Sequence, residues 1–468
     1  MMKEKIILFE LNEVPWRVLD DFITERPNSW LAQRLPGMRQ YETHAEDTSL
    51  SPWITWPTLH RGVSDEQHTI SDFGQDLAEI DAAYPPIWDT LVRRGVSTGV
   101  FGSLHTYPLP SNVSEYAFYI PDVFAAGDAC SPHSVEPFQA FNLAMSRASA
   151  RNVSTGLPWQ KALRLLATLP QLGLTAQTMV DVGRQLVDER RRSWTRVRRR
   201  TYQSVLAFDV FLRQLECTRP AFSTFFTNHV ASSMHRFWAA RYPNDYQSFG
   251  YGDEWVATYR DEISWTMSKC DEMLRRLGEF VHRHEGYRLW ITTSMGQAAT
   301  EAHVVQTQVY LSDVDGFMSR LGFERRDWEV RPAMLPRVII VLASGRQREF
   351  ERRMSTIQIA DRGPLPYKAL SDRVFRIHPG AIQNVTSEFC ILDGQRVPFS
   401  ELGFANVEIQ DSAGQSAYHI PRGLLLIDDP RRLPSNGKRT QISTRDIAPM
   451  ICRTFGIDPP AHMRGATI

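Results

Sequence analysis

Apolar residues along this chain gather in short runs, and helix-period segments separate them. Lys5–Leu11 (KIILFEL) is a short, mostly apolar run that reads as a strand buried on both faces, as in a parallel sheet. It ends at Asn12-Glu13-Val14-Pro15, and Pro15 to Asp20 opens a helix with proline near its first turn. Pro86–Arg94 predicts a helix stopped by Gly95, and Val96–Phe101 a strand ending on Gly102-Ser103-Leu104-His105. Met273–His284 predicts another helix, Gly286 its stop, Leu289–Thr292 a strand and Thr293–Gln297 a loop. Gly423–Ile427 reads as a strand and Thr444–Phe455 as a last helix with Gly456 as its C-cap. Strands alternating with helices predict an α/β fold, a mostly parallel central sheet with helices on both faces. In such sheets ligand sites lie outside the carboxyl ends of the strands.

Two regions depart from this alternation. Residues 134–219 are rich in Leu, Arg and Gln, with helical periodicity over Leu163–Leu169 and Thr178–Glu189. They read as a helical insertion over the ligand edge of the sheet. Within them, the basic stretch Arg190–Arg200 (RRRSWTRVRRR) reads first as a solvated helix face pairing with acidic neighbours, ahead of contact with an anionic substrate or lipid headgroups. Residues 303–400, with β-like runs at Val338–Leu342 and Phe389–Leu392, read as a small α+β lobe. The α/β core is then residues 1–133, 220–302 and 401–468.

A length of 468 residues is too great for one small domain. Lys+Arg and Asp+Glu both number 53, and this zero net charge argues against general nucleic-acid binding, which needs a positive field. Five scattered cysteines without a CxxC pair argue against a zinc ribbon or thioredoxin-type site and fit a reducing compartment. The N-terminal apolar run Ile6–Phe9 is too short for a secretory signal, and no stretch of about 18 apolar residues predicts a transmembrane helix. The expected location is the cytoplasm, with peripheral attachment to the inner face of a membrane left open.

Five distant segments carry the candidate chemistry: Ile6–Pro15, Ser51–Gly62 (SPWITWPTLHRG), Phe225–Trp238 (FFTNHVASSMHRFW), Leu289–Gln297 (LWITTSMGQ) and Tyr418–Pro430 (YHIPRGLLLIDDP). Their wording and spacing resemble the alkaline phosphatase superfamily, in particular its type I phosphodiesterase/nucleotide pyrophosphatase branch. Thr55-Trp56-Pro57 is similar to the family's nucleophile segment. Pro86–Ser103 resembles its helix, Gly, strand, Gly-Ser unit. His419-Ile420-Pro421-Arg422-Gly423 resembles the late His-x-x-x-Gly segment that supplies a metal ligand. Thr444–Gly465 resembles its closing helix, Pro-Pro and Met-x-Gly. The resemblance spans both ends and the middle of the chain and omits the two departing regions. It implies a parallel sheet flanked by helices, and an ester-cleaving site in which two metals clamp the attacking and leaving oxygens.

Several ligand positions of that pattern are substituted here. The first metal-binding Asp falls at Asn12, the Asp-x-x-x-His pair at Ala231 and His235, and the Asp-His-Gly segment at Ser294-Met295-Gly296. The resemblance therefore leaves His235 and His419 at one metal position, and only Asn12 and Thr55 at the other. A full two-metal centre is not expected; at most one divalent metal, zinc or manganese, is. Replacement donors are Glu10, which shares a strand face with Asn12, and Glu13, His60, His229 and Asp122. Thr55 reads either as a nucleophile or as a buried threonine in an aromatic-rich turn. His235 reads as a ligand or base, or as a core histidine. Trp53, Trp56 and Trp238 read as an aromatic wall of a pocket or as ordinary core. Ser294 joins the substrate pocket, and Arg236 could hold a substrate's charge bidentately. Asn12 could orient substrate or donate to an oxyanion.

Two functions follow. One is a divergent hydrolase or transferase acting on a phosphoester or sulfoester, with Thr55 and at most one metal, on an anionic small-molecule or glycan-linked substrate. The other is a catalytically inactive relative that binds a glycan, nucleotide or protein partner.

Overall fold

A computed structural model describes residues 4–148, 160–161, 171–248, 250–331, 333, 335–360, 362–431 and 437–463. The helical run expected over Leu163–Leu169 lies outside the described residues, as do Arg464 and Gly465 of the closing segment. The chain divides into two units, the first of Met1–Met145, Pro158–Ala302 and Gln415–Ile468, the second of Ser146–Leu157 and His303–Gly414.

The first unit is built on an eight-stranded sheet. Its first six strands are β1 (Lys5–Leu11), β2 (Arg39–His44), β3 (Thr98–Phe101), β4 (Phe118–Ile120), β5 (Phe222–Thr227) and β6 (Tyr287–Thr292). The order across the sheet is Arg439–Ser443, β2, Arg422–Asp428, β6, β1, β5, β3, β4. β1 runs parallel to both β5 and β6, and Arg422–Asp428 alone runs antiparallel to its neighbours. The mostly parallel sheet expected from the sequence is therefore present.

Period-2 alternation sends the apolar run Ile6–Phe9 of β1 to both faces of the sheet, and both are covered. Ile6 and Leu8 join the core formed with Trp56, Leu59, Trp88, Leu91, Ile447 and Ile451. Phe9, on the opposite face, meets Phe225 with ring centroids 5.5 Å apart, and Phe225 packs on Phe208 and Phe211. Helices Pro52–Arg61, Ile87–Val92 and Ile447–Thr454 thus cover one face. Helix Arg199–Thr218, at the end of the region read as an insertion, packs its buried Phe208, Phe211 and Leu215 on the other.

The helix Pro52–Arg61 carries Thr55, so this buried threonine stands in a helix and not in a turn. Pro52 opens it, Ser51 caps it in an extended conformation, and Gly62 ends it at φ +62°. Pro57 lies inside it and has no N–H to give the carbonyl of Trp53. His105 Nε2 takes that place, donating to Trp53 O at 2.9 Å. Burial, then the charge of Arg61, push the His105 imidazole down to about 3, so it is neutral and keeps Nε2–H for this bond.

Two expectations change. The helix expected from Met273 begins at Glu262 and runs to Arg283. The loop expected over Thr293–Gln297 ends in a seventh strand, β7 (Gly296–Ala299), paired antiparallel with Ala417–Ile420.

The basic stretch meets acidic neighbours. Arg192 pairs with Asp188, Arg198 with Glu262 and Arg199 with Glu189, while Arg200 Nη1 donates to Ser232. No helix among the described residues is long and apolar enough to cross a membrane. The second unit has two four-stranded antiparallel sheets around Ile340, Phe350, Phe375 and Leu402, and its strand Phe404–Glu408 pairs with Thr307–Leu311.

Candidate metal centre

Three adjacent central strands deliver the site at their carboxyl ends. β1 is followed by Asn12 and Glu13, β5 by the helix His229–Arg241 with His235, and β6 by Ser294 and Gln297. Strand Ala417–Ile420 brings His419 opposite Gln297. Glu13 takes φ +61°, a conformation uncommon for a residue with a Cβ. Such strain persists where surrounding contacts over-determine the backbone, and here the contacts are those of the carboxylate.

Glu13 Oε2 lies 2.9 Å from His235 Nε2 and 3.4 Å from His419 Nε2. Each imidazole is held from behind. His235 Nδ1 donates to the Ala417 carbonyl at 2.8 Å, and His419 Nδ1 to the Leu50 carbonyl at 2.7 Å. A carbonyl only accepts, so both Nδ1 atoms carry the proton and both Nε2 atoms face Glu13. Gln297 Nε2 also donates to Glu13 Oε2, and Asn12 Nδ2 to Glu13 Oε1 at 2.7 Å. Glu13 is 3% exposed and His235 24%, so the site opens on the His235 side.

Burial pushes the Glu13 carboxyl up, but the charges of His419 and His235 and their hydrogen bonds outweigh this and hold it well below the usual carboxylate range. For His419 burial acts downwards, and the Glu13 charge, its hydrogen bond and the Leu50 carbonyl leave the imidazole raised above its ordinary value. These directions fix the sign of this cluster's contribution to the pH dependence of stability in the metal-free protein. The depressed Glu13 contributes stability that is present above about 4.3 and is lost as pH falls further. The raised His419 contributes stability that is complete below about 6.5 and is lost as pH rises through its folded value. The cluster's contribution to melting temperature should therefore be greatest between these limits, and His419→Gln should reduce the loss on the alkaline side relative to wild type. A wild type-to-His419→Gln difference in melting temperature that does not change with pH above about 6.5 would contradict this assignment.

Among the described residues, Glu13, His235 and His419 are the group of His, Cys, Asp or Glu whose ligand atoms all lie within 4.8 Å of one another. Two imidazole nitrogens and one carboxylate suit a zinc-like divalent cation, with positions left for water or substrate. Each ring also makes the Nδ1–H to carbonyl bond that fixes the tautomer of metal-ligating histidines. The residues present therefore fit one cation.

No protein-family model matches the chain, and no curated protein does. Among solved structures, murine ectonucleotide pyrophosphatase/phosphodiesterase 5 is similar at 11% identity and a TM-score of 0.42, covering 99% of this chain and 98% of its own. An inactive form of the murine protein in complex with AMP is similar at 12% identity and a TM-score of 0.41, covering 99% of this chain and 98% of its own. The human protein gives 11%, a TM-score of 0.40, and coverage of 99% of this chain and 97% of its own. Likeness at this level assigns no activity to the chain.

The other residues singled out in the sequence fall into distinct places. Glu10 is not at the cation site. Alternation turns it onto the face of Ile6 and Leu8, where it meets His60 at 2.8 Å with both side chains fully buried. Glu13 is the carboxylate beside the two histidines. Asn12 does not face a histidine; its side chain bridges Trp56 Nε1, Asn228 Oδ1 and Glu13 Oε1. It orders the carboxylate from behind.

Thr55 is fully buried, its hydroxyl between the Ser51 carbonyl at 3.1 Å and Ser294 Oγ at 2.8 Å. Ser294 is equally buried. Trp53 packs on Phe73 and Phe124, and Trp56 stacks on His60, so both tryptophans are core rather than pocket wall. Trp238 is core too, donating to Asp245.

Arg236 follows His235 but lies on another face of the helix. It lines a small pocket, with room for about one water, together with Arg198, Arg200, His229, Ser233 and Glu262. Burial pushes His229 down to about 4, and its Nδ1 meets Thr227 Oγ1 at 2.7 Å. Asp122 is held by Thr106 and the Phe124 amide. Of the five replacement donors, Glu13 is the one that reaches the histidines.

Proposed function

We propose that this chain is a divergent relative of the alkaline phosphatase superfamily that acts on a phosphoester or sulfoester at a single-cation site made by Glu13, His235 and His419. The supporting observation is the convergence of two Nε2 atoms on one carboxylate oxygen, outside the carboxyl ends of the central strands. Zinc or manganese suits the donor set. When bound, such a cation would polarise an ester oxygen and offset the negative charge that develops on it. The chain's own residues prepare that site. The Leu50 and Ala417 carbonyls keep both Nε2 atoms aimed inwards, and Asn12 and Gln297 hold Glu13 as an anion. The substrate class is an anionic small molecule or a glycan-linked ester, and the acceptor is water or a second hydroxyl. A cytoplasmic location, at or away from a membrane surface, belongs to the same proposal.

Thr55 is the nucleophile in this reading. Its attack requires Ser294 to release the 2.8 Å contact and open the buried hydroxyl to substrate. The closure of Thr55 favours a second reading, a binding protein with no turnover. In that case Glu13 serves as a charge partner already satisfied by four side chains.

Turnover of p-nitrophenyl phosphate and p-nitrophenyl sulfate by zinc- and manganese-loaded protein separates the two. The enzyme reading expects measurable release of p-nitrophenol and a loss of about 100-fold or more in His235→Ala and in Thr55→Ala. Stoichiometric metal without turnover of any ester supports the binding protein. Turnover unchanged in His235→Ala overturns the enzyme reading.

A further inference from the structure

None of the residues lining the small pocket beside Arg236 belongs to the cation cluster. Three helices meet around this pocket: Arg199–Thr218, His229–Arg241 and Glu262–Arg283. Arg198, Arg200 and Arg236 line it, and among the described residues of its lining Glu262 is the one acid. That carboxylate is engaged by Arg198, accepting from Nε at 3.0 Å and from Nη2. Arg200 Nη1 donates to the Ser232 hydroxyl at 2.7 Å, a bond that brings no counter-charge. The lining thus sets three guanidinium groups against one carboxylate, next to the apolar side chains of Val197 and Phe237. Like charges this close repel one another, the more so beside apolar walls that hold water away. A second observation points the same way. Ser233 lines the same pocket and is 6% exposed, yet its Oγ has no hydrogen-bond partner. A buried hydroxyl is costly unless something in the pocket accepts its hydrogen.

We infer that this pocket holds a monatomic anion, chloride under ordinary conditions, with Ser233 Oγ and the Arg200 and Arg236 guanidinium groups as its donors. Room for about one water admits an ion of that size and shuts out a tetrahedral oxyanion such as phosphate or sulfate. A guanidinium has five N–H donors, so bonds made elsewhere leave donors for the ion. The ion takes no part in ester chemistry. It offsets the arginine charges and ties together the three helices, one of which carries His235 on another face.

Two measurements on the full chain test this: diffraction at the bromine absorption edge from crystals soaked in sodium bromide, and melting temperature in sodium chloride against sodium gluconate at equal ionic strength. The expected results are an anomalous peak in the pocket within about 3.5 Å of Ser233 Oγ, and a melting temperature that rises with chloride but not with gluconate. The chloride affinity read from that rise should fall about tenfold in Ser233→Ala, which loses a donor to a charged acceptor. The rise should vanish in Ser233→Leu, whose side chain fills the pocket. A substitution that merely loosens the fold would lower the melting temperature equally in both salts and leave the chloride dependence intact. If Ser233→Leu does not fold, Ser233→Ala decides. Water without halide in the pocket, sulfate in its place, a bromide peak with no chloride effect in solution (an adventitious ion only), or a chloride effect unchanged in Ser233→Ala each overturns the inference.

Discussion

Glu13→Ala should destabilise the metal-free protein by about 3 kcal/mol, a large loss for one side chain. The carboxylate is buried and neutralises His419 while accepting from His235, Gln297 and Asn12. Alanine removes the acceptor and leaves the buried donors of Asn12 and Gln297 without it. Because a raised imidazole then loses its counter-charge, His419 must fold neutral. Glu13→Gln should cost less, since it keeps the shape and one acceptor oxygen. Urea unfolding monitored by tryptophan emission measures both. A loss below about 0.5 kcal/mol for Glu13→Ala would mean that the carboxylate is exposed in solution and that the cluster does not form.

The second large effect concerns metal affinity. His235→Ala and His419→Ala should each weaken zinc binding by at least about 100-fold, because each removes one of only three protein ligands. Glu10→Gln should leave affinity within about threefold, since Glu10 is turned towards His60. That contrast separates the cluster from a loose collection of acidic and basic groups, in which all three substitutions would act alike. Competition with a chromophoric zinc chelator at neutral pH reads each constant. Equal affinity in wild type and both histidine variants would remove the site.

Much of the fold was legible because burial on two faces leaves a plain mark. Lys5–Leu11 and Leu289–Thr292 read as strands since their apolar residues are buried on both faces, and Gly95 and Gly456 stop helices at positive φ. The arm β7 was not legible. Gly-Gln-Ala-Ala has little intrinsic strand preference, and pairing with Ala417–Ile420 creates the strand. That arm sets Gln297 against Glu13, so part of the site was hidden with it. The resemblance points to His235 and His419, while the carboxylate stays open among Glu10, Glu13 and Asp122, with Glu10 favoured by its shared strand face with Asn12. The structure brings Glu13 to the histidines; it lies past the strand's end, where alternation no longer tells which way a side chain points. A left-handed backbone at a glutamate has no sequence mark. Pro57 leaves the Trp53 carbonyl without its helical donor, and nothing local in the sequence points to His105, 52 residues from Trp53, as the group that bonds it.

Diffraction at the zinc absorption edge, from crystals grown with excess zinc, bears most directly on the central claim. The account predicts one strong anomalous peak per chain, within coordination distance of Glu13 Oε2, His235 Nε2 and His419 Nε2. A map without that peak at saturating zinc, or with its main peak away from these three atoms, would contradict it.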